Sequence, residues 1–269
     1  MGSRERARGF GISATRDLRQ ACEIARAVQG LGYRTVWTND LPGADGLVVA
    51  KAMADATSTI RIGVGAVPCD RRAPSELASR LSSLSIPPDR LALIVGAGFS
   101  ARPLEAVADA LAHLRDRNGD ALTLGVAAMG PRMCRLGGRL GDVVLLNWMT
   151  PERLAWAREK IDQGARARPP DLPPVEVAAY VRAAIGPGAS HLIAEEAGRY
   201  ASTPHYRRHF DAMGAEPARV GVAFDEAGPE QFRRYDQLLD ETVVRALVAS
   251  RPTAKDLLEV ARATTPQPT

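Results

Sequence analysis

The sequence has few of the residues on which most enzyme chemistries depend. Aromatic residues make up 5% of its 269 positions, and it has four histidines and three cysteines. The cysteines (Cys22, Cys69 and Cys134) form no CxxC pair, so their odd number and wide spacing predict reduced thiols in a cytoplasmic protein. No GxSxG motif occurs, so a serine hydrolase of that type has no support.

Long apolar runs and strong charge are also missing. No stretch approaches the roughly 20 apolar residues of a membrane span. The charged N-terminus is followed by no hydrophobic segment, so no signal peptide is expected. The formal net charge of +4 is mildly basic and slightly favours a small anionic ligand. No basic run with interleaved aromatic residues is present, so no nucleic-acid partner is predicted.

Short apolar runs alternate with amphipathic helical stretches along the whole chain. The predicted strands are 10–13, 34–38, 60–65, 91–95, 122–127, 143–146, 175–181 and 242–248. Strict alternation predicts a parallel sheet, and eight units in this length favour a closed (β/α)8 barrel, a TIM barrel, as one domain over 1–269. An open doubly wound sheet is the alternative, although no GxGxxG follows the first strand. We expect a helical insertion at 186–218 and a frayed tail at 264–269.

Polar and glycine-rich residues follow the predicted strands, where a barrel enzyme carries its active site. These strand ends hold Ser13, Asn39, Asp40, 65–68, 96–100, 128–132, Asn147, Trp148 and Arg182. They contain no histidine and no clustered carboxylates, so no metal site is predicted. Gly130-Pro131-Arg132 at a helix start predicts an anion site, with an ordinary turn as the alternative. Asp40 is either a functional residue or a helix cap.

An ordered set of fragments spans nearly the whole chain. They are the LGYxxVWxxD pattern at 27–40, the strand and turn at 61–78, the glycine pair at 95–98, the fifth strand and its turn at 126–131, its continuation at 136–143, and the aromatic stretch at 200–214. Together they resemble the luciferase-like monooxygenase superfamily of flavin- and coenzyme F420-dependent (β/α)8 oxidoreductases. The stretch 200–214 resembles the deazaflavin branch in particular.

The resemblance implies a flavin or deazaflavin ring across the barrel mouth, supported by a bulge after the third strand that often holds a non-proline cis peptide. That bulge maps to Val64-Gly65, and Met129-Gly130-Pro131 would contact the ribityl tail or phosphate. The implied cofactor contacts are Ser13, Asn39, Asp40, Val64, Gly65, Val67, Gly96, Gly98, Met129, Gly130, Pro131, Asn147 and Trp148. Coenzyme F420 is the expected cofactor because of 200–214 and the basic charge, with FMN as the alternative.

The chain departs from the family pattern at two positions. Leu41 stands where related sugar dehydrogenases carry histidine, and Phe99 stands where they carry an acid. These losses disfavour alcohol oxidation of that type. A pocket with Leu41, Phe99 and Trp148 suits hydride transfer, as a reduction, to a small and largely apolar unsaturated substrate. Asp40 is the remaining candidate catalytic residue. We expect it to contact the cofactor ring or the substrate and not to act as a general base.

Other readings remain open from the sequence alone. One is that the protein is a cofactor-free, non-catalytic subunit that supports a partner. The departures at Leu41 and Phe99 favour this alternative, and the intact Gly130-Pro131 turn is evidence against it. Another is a phosphate-binding lyase or isomerase, which would need a lysine or paired acids that the strand ends do not offer. The resemblance also implies a homodimer through the second and third helices, and loops shortened after the fourth and seventh strands.

Overall fold

The computed structural model describes residues 7–224, 228–249 and 252–266. Within these residues nine strands alternate with ten helices. The strands are β1 (Ala7–Gly11), β2 (Thr35–Thr38), β3 (Arg61–Pro68), β4 (Leu91–Gly96), β5 (Thr123–Ala128), β6 (Val143–Asn147), β7 (Glu176–Ile185), β8 (Val222–Phe224) and β9 (Glu241–Ala246). The helices are α1 (Leu18–Gly30), α2 (Gly46–Ala56), α3 (Pro74–Leu84), α4 (Pro103–Asn118), α5 (Pro131–Leu140), α6 (Pro151–Ala165), α7 (Ala189–Ala201), α8 (Pro204–Met213), α9 (Gly228–Asp236) and α10 (Ala254–Ala263).

Eight of the strands close into a parallel barrel. β1 to β7 pair in sequence order, β7 pairs with β9, and β9 pairs back with β1. The predicted (β/α)8 barrel is therefore confirmed. The remaining strand, β8, lies outside the ring. It pairs in parallel with the carboxyl-terminal part of β7, where Ala183 is opposite Val222. The sequence analysis did not predict β8, which has only three residues.

Alternation along each strand separates two apolar layers. Outward-facing side chains such as Val36, Ile62 and Val64 pack under the helices in the main core. Inward-facing side chains form a smaller cluster that includes Trp37, Ile94 and Leu145. Because inward positions recur every second residue, the last inward residue of each strand faces the barrel mouth.

Local signals explain where the helices begin. The Asp17 carboxylate accepts the Arg19 and Gln20 backbone N–H groups at the start of α1, and Asp45 does the same for α2. A proline occupies the first turn of α3, α4, α5 and α6. Its ring fixes φ near the helical value, and it has no backbone N–H, a group that would lack a hydrogen-bond partner in the first turn of a helix.

The connection after β7 is the longest in the barrel and carries α7, α8, β8 and α9. The predicted helical insertion at 186–218 corresponds to α7 and α8. In contrast, only residues 97–102 separate β4 from α4. Whether these loops are shorter than those of relatives stays a prediction.

The chain end differs from the expected frayed tail at 264–269. Thr264 is buried, and its hydroxyl lies 2.8 Å from the Tyr33 hydroxyl. Arg8 donates to the Thr264 and Thr265 carbonyls at 2.9 and 3.0 Å. These bonds fix residues 264 and 265 to the barrel, while 267–269 lie outside the described residues. Among the described residues no helix has the length and hydrophobicity to span a membrane.

Candidate active site

A cavity of about 480 Å³ opens at the carboxyl ends of the barrel strands. Ten of the predicted site residues line it: Asn39, Asp40, Leu41, Gly65, Gly96, Gly98, Phe99, Met129, Gly130 and Asn147. Six residues with aromatic or basic side chains also line it: Tyr180, Arg182, Tyr200, His205, Tyr206 and Arg245. The barrel thus brings most of the predicted set together and adds a polar, basic wall.

One wall of the cavity is built from residues without long side chains. It includes Gly65-Ala66, Gly96-Ala97 and Ala127-Ala128 at the ends of β3, β4 and β5. The peptide bond between Gly65 and Ala66 is cis. The pairing with β4 skips Ala66, so this residue forms the bulge. The sequence analysis placed this feature at Val64-Gly65, one residue too early, because the run of small residues does not mark which of them is unpaired.

Tyr180 supports this wall from inside the barrel. Its hydroxyl donates to the Gly65 carbonyl at 2.8 Å and lies 3.4 Å from the Thr38 carbonyl. Burial raises the pKa of Tyr180 far above its usual value, so the phenol stays protonated and keeps donating. β7 was predicted to end at Val181, so only Arg182 was considered at its carboxyl end; the strand runs to Ile185, and Tyr180 reaches the cavity from within it.

A hydrogen-bonded cluster forms the opposite wall. The Arg182 guanidinium donates to the Asn147 side-chain oxygen, and its Nε lies 3.4 Å from Glu196. The Asn147 amide in turn donates to the Tyr206 hydroxyl at 2.8 Å. Arg182 is 3% exposed and is therefore a buried cation whose partners come from β6 and α7.

Two ionisable groups of α8 face the cavity. Burial, reinforced by Tyr200, raises the pKa of Tyr206 to about 12, although Arg182 and the Asn147 bond act against this rise. Burial, with the nearby Arg208 charge, lowers the pKa of His205. Both side chains are therefore neutral at pH 7. The sequence analysis noted that the histidines avoid the strand ends, and His205 reaches the cavity from the helical insertion instead.

Asp40 lies at the cavity wall, but its carboxylate is enclosed. It accepts the Gly46 N–H at 3.0 Å, Arg71 at 3.2 Å, and Arg72 at 3.1 and 3.2 Å. The side chain is 2% exposed. A carboxylate with these partners has no oxygen left to contact a ligand. The structure therefore corrects the expected role of Asp40: it holds the β2 and β3 loops together and does not face the reacting atoms.

Five predicted site residues do not line this cavity. The side chains of Val64 and Val67 pack under the helices, and Ser13 forms a hydrogen bond with Thr15 on the surface at 3.0 Å. Trp148 is 1% exposed and packs against Ala197, Phe210 and Val220 beneath the helical insertion. Its φ of 52° turns the chain at the end of β6, and its ring stacks on the Arg182 guanidinium at 3.9 Å without lining the cavity itself. Pro131 lines a neighbouring cavity.

The remaining predicted residues shape the rim. The Asn39 side-chain oxygen accepts the Ala14 N–H at 3.0 Å, which fixes the loop after β1. The Phe99 N–H donates to Asp70 at 2.9 Å, and the Phe99 side chain is 85% exposed. Gly98 has a φ of 58°, and a Cβ there would overlap the Asp70 carboxylate. A large apolar side chain thus stands at the entrance, 5.9 Å from the His205 ring.

The neighbouring cavity, of about 470 Å³, lies where two helices begin. Residues 101–105 at the start of α4 and 130–133 at the start of α5 line it. Neither helix has a side-chain cap, so backbone N–H groups at both starts have no helical partner. Arg132 adds positive charge, whereas Arg102 is paired at 2.9 Å with Glu105, which also lines the cavity. This is the chemistry of a phosphate site.

The two cavities share Gly130 and Met133, so one extended ligand fits both. A Cβ at Gly130 would meet no atom within 4 Å, so the shared wall is open where such a ligand would pass. A flat wall for a ring, joined to an anion site for a phosphate, fits a flavin or deazaflavin cofactor. The described residues contain no group of three or more His, Cys, Asp or Glu placed to hold a metal ion.

Comparison with known proteins agrees with this arrangement. The profile of the luciferase-like monooxygenase family matches residues 5–125 and 124–264. The chain belongs to this family of oxidoreductases, as the sequence motifs predicted.

Solved structures with the same fold include enzymes of both cofactor types. An F420-dependent secondary alcohol dehydrogenase, in complex with an F420–acetone adduct, is 18% identical over 96% of this chain and 98% of its own, with a TM-score of 0.77. The coenzyme F420-dependent tetrahydromethanopterin reductase from Methanopyrus kandleri is 18% identical over 96% and 97%, with a TM-score of 0.73. The oxygenating constituent of 3,6-diketocamphane monooxygenase from Pseudomonas putida, with FMN, is 14% identical over 97% and 100%, with a TM-score of 0.62.

Proposed function

We propose that this protein is a coenzyme F420-dependent oxidoreductase that reduces a small unsaturated substrate. The observation that carries the proposal is the flat small-residue wall joined, through Gly130, to a cavity at two helix starts. Of the solved structures named above, the two F420-dependent enzymes also superpose with the higher TM-scores. When bound, a reduced deazaflavin supplies a hydride equivalent.

The chain's own residues would orient the ring and the substrate. The wall at Gly65-Ala66, which the Tyr180 hydroxyl supports through a hydrogen bond, gives the ring a surface without long side chains. The helix starts and Arg132 would neutralise the phosphate. Leu41 and Phe99 bring apolar surface to the rim, which suits the unsaturated part of a substrate. Fixing two reactants in this way accounts for much of the rate of a hydride transfer.

Reduction of a double bond also consumes one proton, and Tyr206 is the candidate donor. Its hydroxyl oxygen already accepts a hydrogen bond from Asn147, so its own hydrogen is free to point into the cavity. Its raised pKa of about 12 keeps that hydrogen in place at neutral pH. In this role Tyr206 replaces the histidine and acid that the chain lacks at Leu41 and Phe99, and solvent restores the proton.

Cofactor titration tests the proposal directly. Purified protein is titrated with coenzyme F420 and, separately, with FMN, and binding is followed by absorbance and fluorescence. We expect F420 to bind, and Gly130→Val to weaken binding at least about tenfold, or 1.4 kcal/mol, because the new side chain blocks the passage between the cavities. Gly198→Val, the same change on the exposed face of α7, is the matched control and leaves binding within about twofold.

The same titration separates the alternatives. Binding of FMN and not F420 would favour an FMN-dependent monooxygenase, the second candidate. Binding of neither cofactor would overturn the proposal and favour a non-catalytic subunit, which co-purification of a constant partner would support. For the proton donor, Tyr206→Phe is expected to lower turnover at saturating cofactor while leaving the cofactor dissociation constant unchanged.

We also propose that the protein is a homodimer formed through α2 and α3. Val48 on α2 is one of three large apolar side chains that are exposed in the described residues. Light scattering after size exclusion tests this, and Val48→Glu is expected to shift a dimer toward monomer. A monomeric wild-type protein at all concentrations would contradict it.

A further inference from the structure

The Arg245 side chain at the end of β9 is a cation without a counter-ion. Its guanidinium lines the main cavity. One terminal nitrogen, Nη1, is buried and has no hydrogen-bond partner. Within residues 7–224, 228–249 and 252–266 the guanidinium makes no ion pair, and its central carbon lies 5.9 Å from the centroid of the Tyr180 ring.

The backbone gives this side chain its place at the mouth. Arg245 pairs with Gly11 of β1 in the barrel register. A Cβ at Gly11 would lie 3.5 Å from the Arg245 side chain and 3.2 Å from Tyr180. The glycine therefore leaves room for the arginine stem to run along the inside of the barrel toward the cavity.

A second arginine, Arg16, lies in the loop after β1. It donates to the Pro252 carbonyl at 3.2 Å and has no carboxylate partner among the described residues. Burial, with the charge of Arg245, lowers the pKa of Arg16. Arg182, the other cation of the cavity, differs because Asn147 and Glu196 satisfy it.

An unpaired, partly buried cation is unfavourable for folding, since burial removes water and no protein acceptor replaces it. A carboxylate is the simplest ligand that would satisfy it, because its two oxygens match the planar fork of one guanidinium. The apolar rim at Leu41 and Phe99 leaves space for the rest of a small molecule.

The position of Arg245 separates this anion from the cofactor phosphate. β9 and β1 lie across the barrel from β4 and β5, whose helices form the phosphate cavity. A cofactor with its phosphate at Gly130 therefore leaves Arg245 at the far side of the mouth. An anion bound there belongs to the second reactant.

We propose that Arg245 binds a carboxylate of the substrate, so the protein acts on a small unsaturated carboxylate. The assignment of the carboxylate to the substrate rests on the proposed function, whereas the carboxylate site itself does not. The expectation of a largely apolar substrate is refined accordingly: the reacting part is apolar and one end is anionic.

Calorimetric titration with benzoate, and with the uncharged isostere benzamide, tests the site with and without cofactor. We expect saturable benzoate binding and at least about tenfold weaker benzamide binding. Arg245→Met should weaken benzoate at least about tenfold, and Arg245→Lys should retain part of the affinity because it keeps the charge. Arg102→Met, which removes a cation from the phosphate cavity, is the matched control and should leave benzoate affinity unchanged. Thermal unfolding checks that each variant is folded.

Several outcomes would overturn the proposal. They are the absence of saturable benzoate binding, equal affinity for benzoate and benzamide, unchanged affinity in Arg245→Met, or loss of affinity in Arg102→Met. Loss of F420 or FMN binding in Arg245→Met would assign the guanidinium to the cofactor and overturn the substrate assignment. Benzoate binding through Arg245 in a protein that binds neither cofactor would leave the carboxylate site standing and refute the proposed function.

Discussion

The two ends of the barrel differ in one charged residue. At the amino-terminal end, the Glu241 carboxylate is fully buried and accepts from Arg34 at 2.7 Å, Arg61 at 2.8 Å and the Trp37 indole at 2.8 Å. Glu176 pairs with the same two arginines at 3.1 and 3.3 Å. At the carboxyl-terminal end, Arg245 has no such partner. The charges at the amino-terminal end are paired with each other, whereas Arg245 lines the cavity with a buried nitrogen that no described protein group satisfies.

The largest effect is expected at Glu241. Glu241→Gln removes the charge that Arg34 and Arg61 share, and leaves them with only Glu176. Breaking a buried ion pair from one side costs about 3–5 kcal/mol. Urea unfolding should show this loss in the free energy of unfolding. Glu230→Gln, in an exposed pair with Arg233 on α9, is the control and should change stability by less than about 0.5 kcal/mol. Equal effects at the two sites would refute the difference between the ends.

The same carboxylate predicts a pH dependence. Burial alone would raise the pKa of Glu241, but Arg61 and Arg34 outweigh burial, so the folded-state pKa lies below its usual value. A carboxyl group with a lowered folded pKa stabilises the fold above its unfolded pKa of about 4.3 and loses that contribution as pH falls through the folded pKa. The stability gap between wild type and Glu241→Gln should therefore narrow as pH falls below about 4.3. A gap that widens on acidification would contradict this assignment.

An intermediate effect is expected where glycine makes room for the Trp37 ring. A Cβ at Gly63 would overlap this ring, which is fully buried inside the barrel. Gly63→Ala should therefore destabilise the protein by about 1–3 kcal/mol. Gly198→Ala on α7 meets no atom within 4 Å and should instead stabilise it by up to about 1 kcal/mol through helix propensity. Denaturant unfolding of both variants measures the contrast, and a neutral Gly63→Ala would show that Trp37 can move.

The smallest effect is expected at Arg245. Arg245→Met removes a cation without a partner. The free energy of unfolding should therefore either increase or fall by less than about 0.5 kcal/mol. Arg61→Met is the same change at the other end, where it breaks bonds to Glu176 and Glu241, and should cost about 3 kcal/mol. If both variants lose stability equally, Arg245 has a structural role and the contrast between the two ends fails.

The fold could be predicted because its signals are local. Short apolar runs such as β4 alternate with amphipathic helices that begin at residues such as Asp17 or Asp45, and this gives the order of elements without knowledge of the packing. Eight such units in one chain favour closure. β8 was missed because its three residues carry no detectable alternation.

The site was predicted in part, for a physical reason that particular residues illustrate. Gly65, Gly96 and Gly130 were found because they follow strands and belong to recognisable motifs. Tyr180 was missed because β7 was predicted to end at Val181, which made Arg182 the residue considered at its end. Arg245 was missed because the predicted last strand ran to Val248, which put Arg245 in mid-strand. Strand boundaries are set by pairing with neighbours, and the local sequence specifies pairing weakly.

The sequence by itself determined the barrel, its family and the small-residue wall, because periodicity, helix caps and short motifs act over a few residues. Only the tertiary structure decided which polar groups have partners. It enclosed Asp40 between Arg71 and Arg72 and packed Trp148 beneath the helical insertion. It left Arg245 facing the cavity without an acceptor. Such pairing joins residues far apart in the chain, such as Arg34 and Glu241, which are 207 positions apart, and is fixed only when the barrel closes.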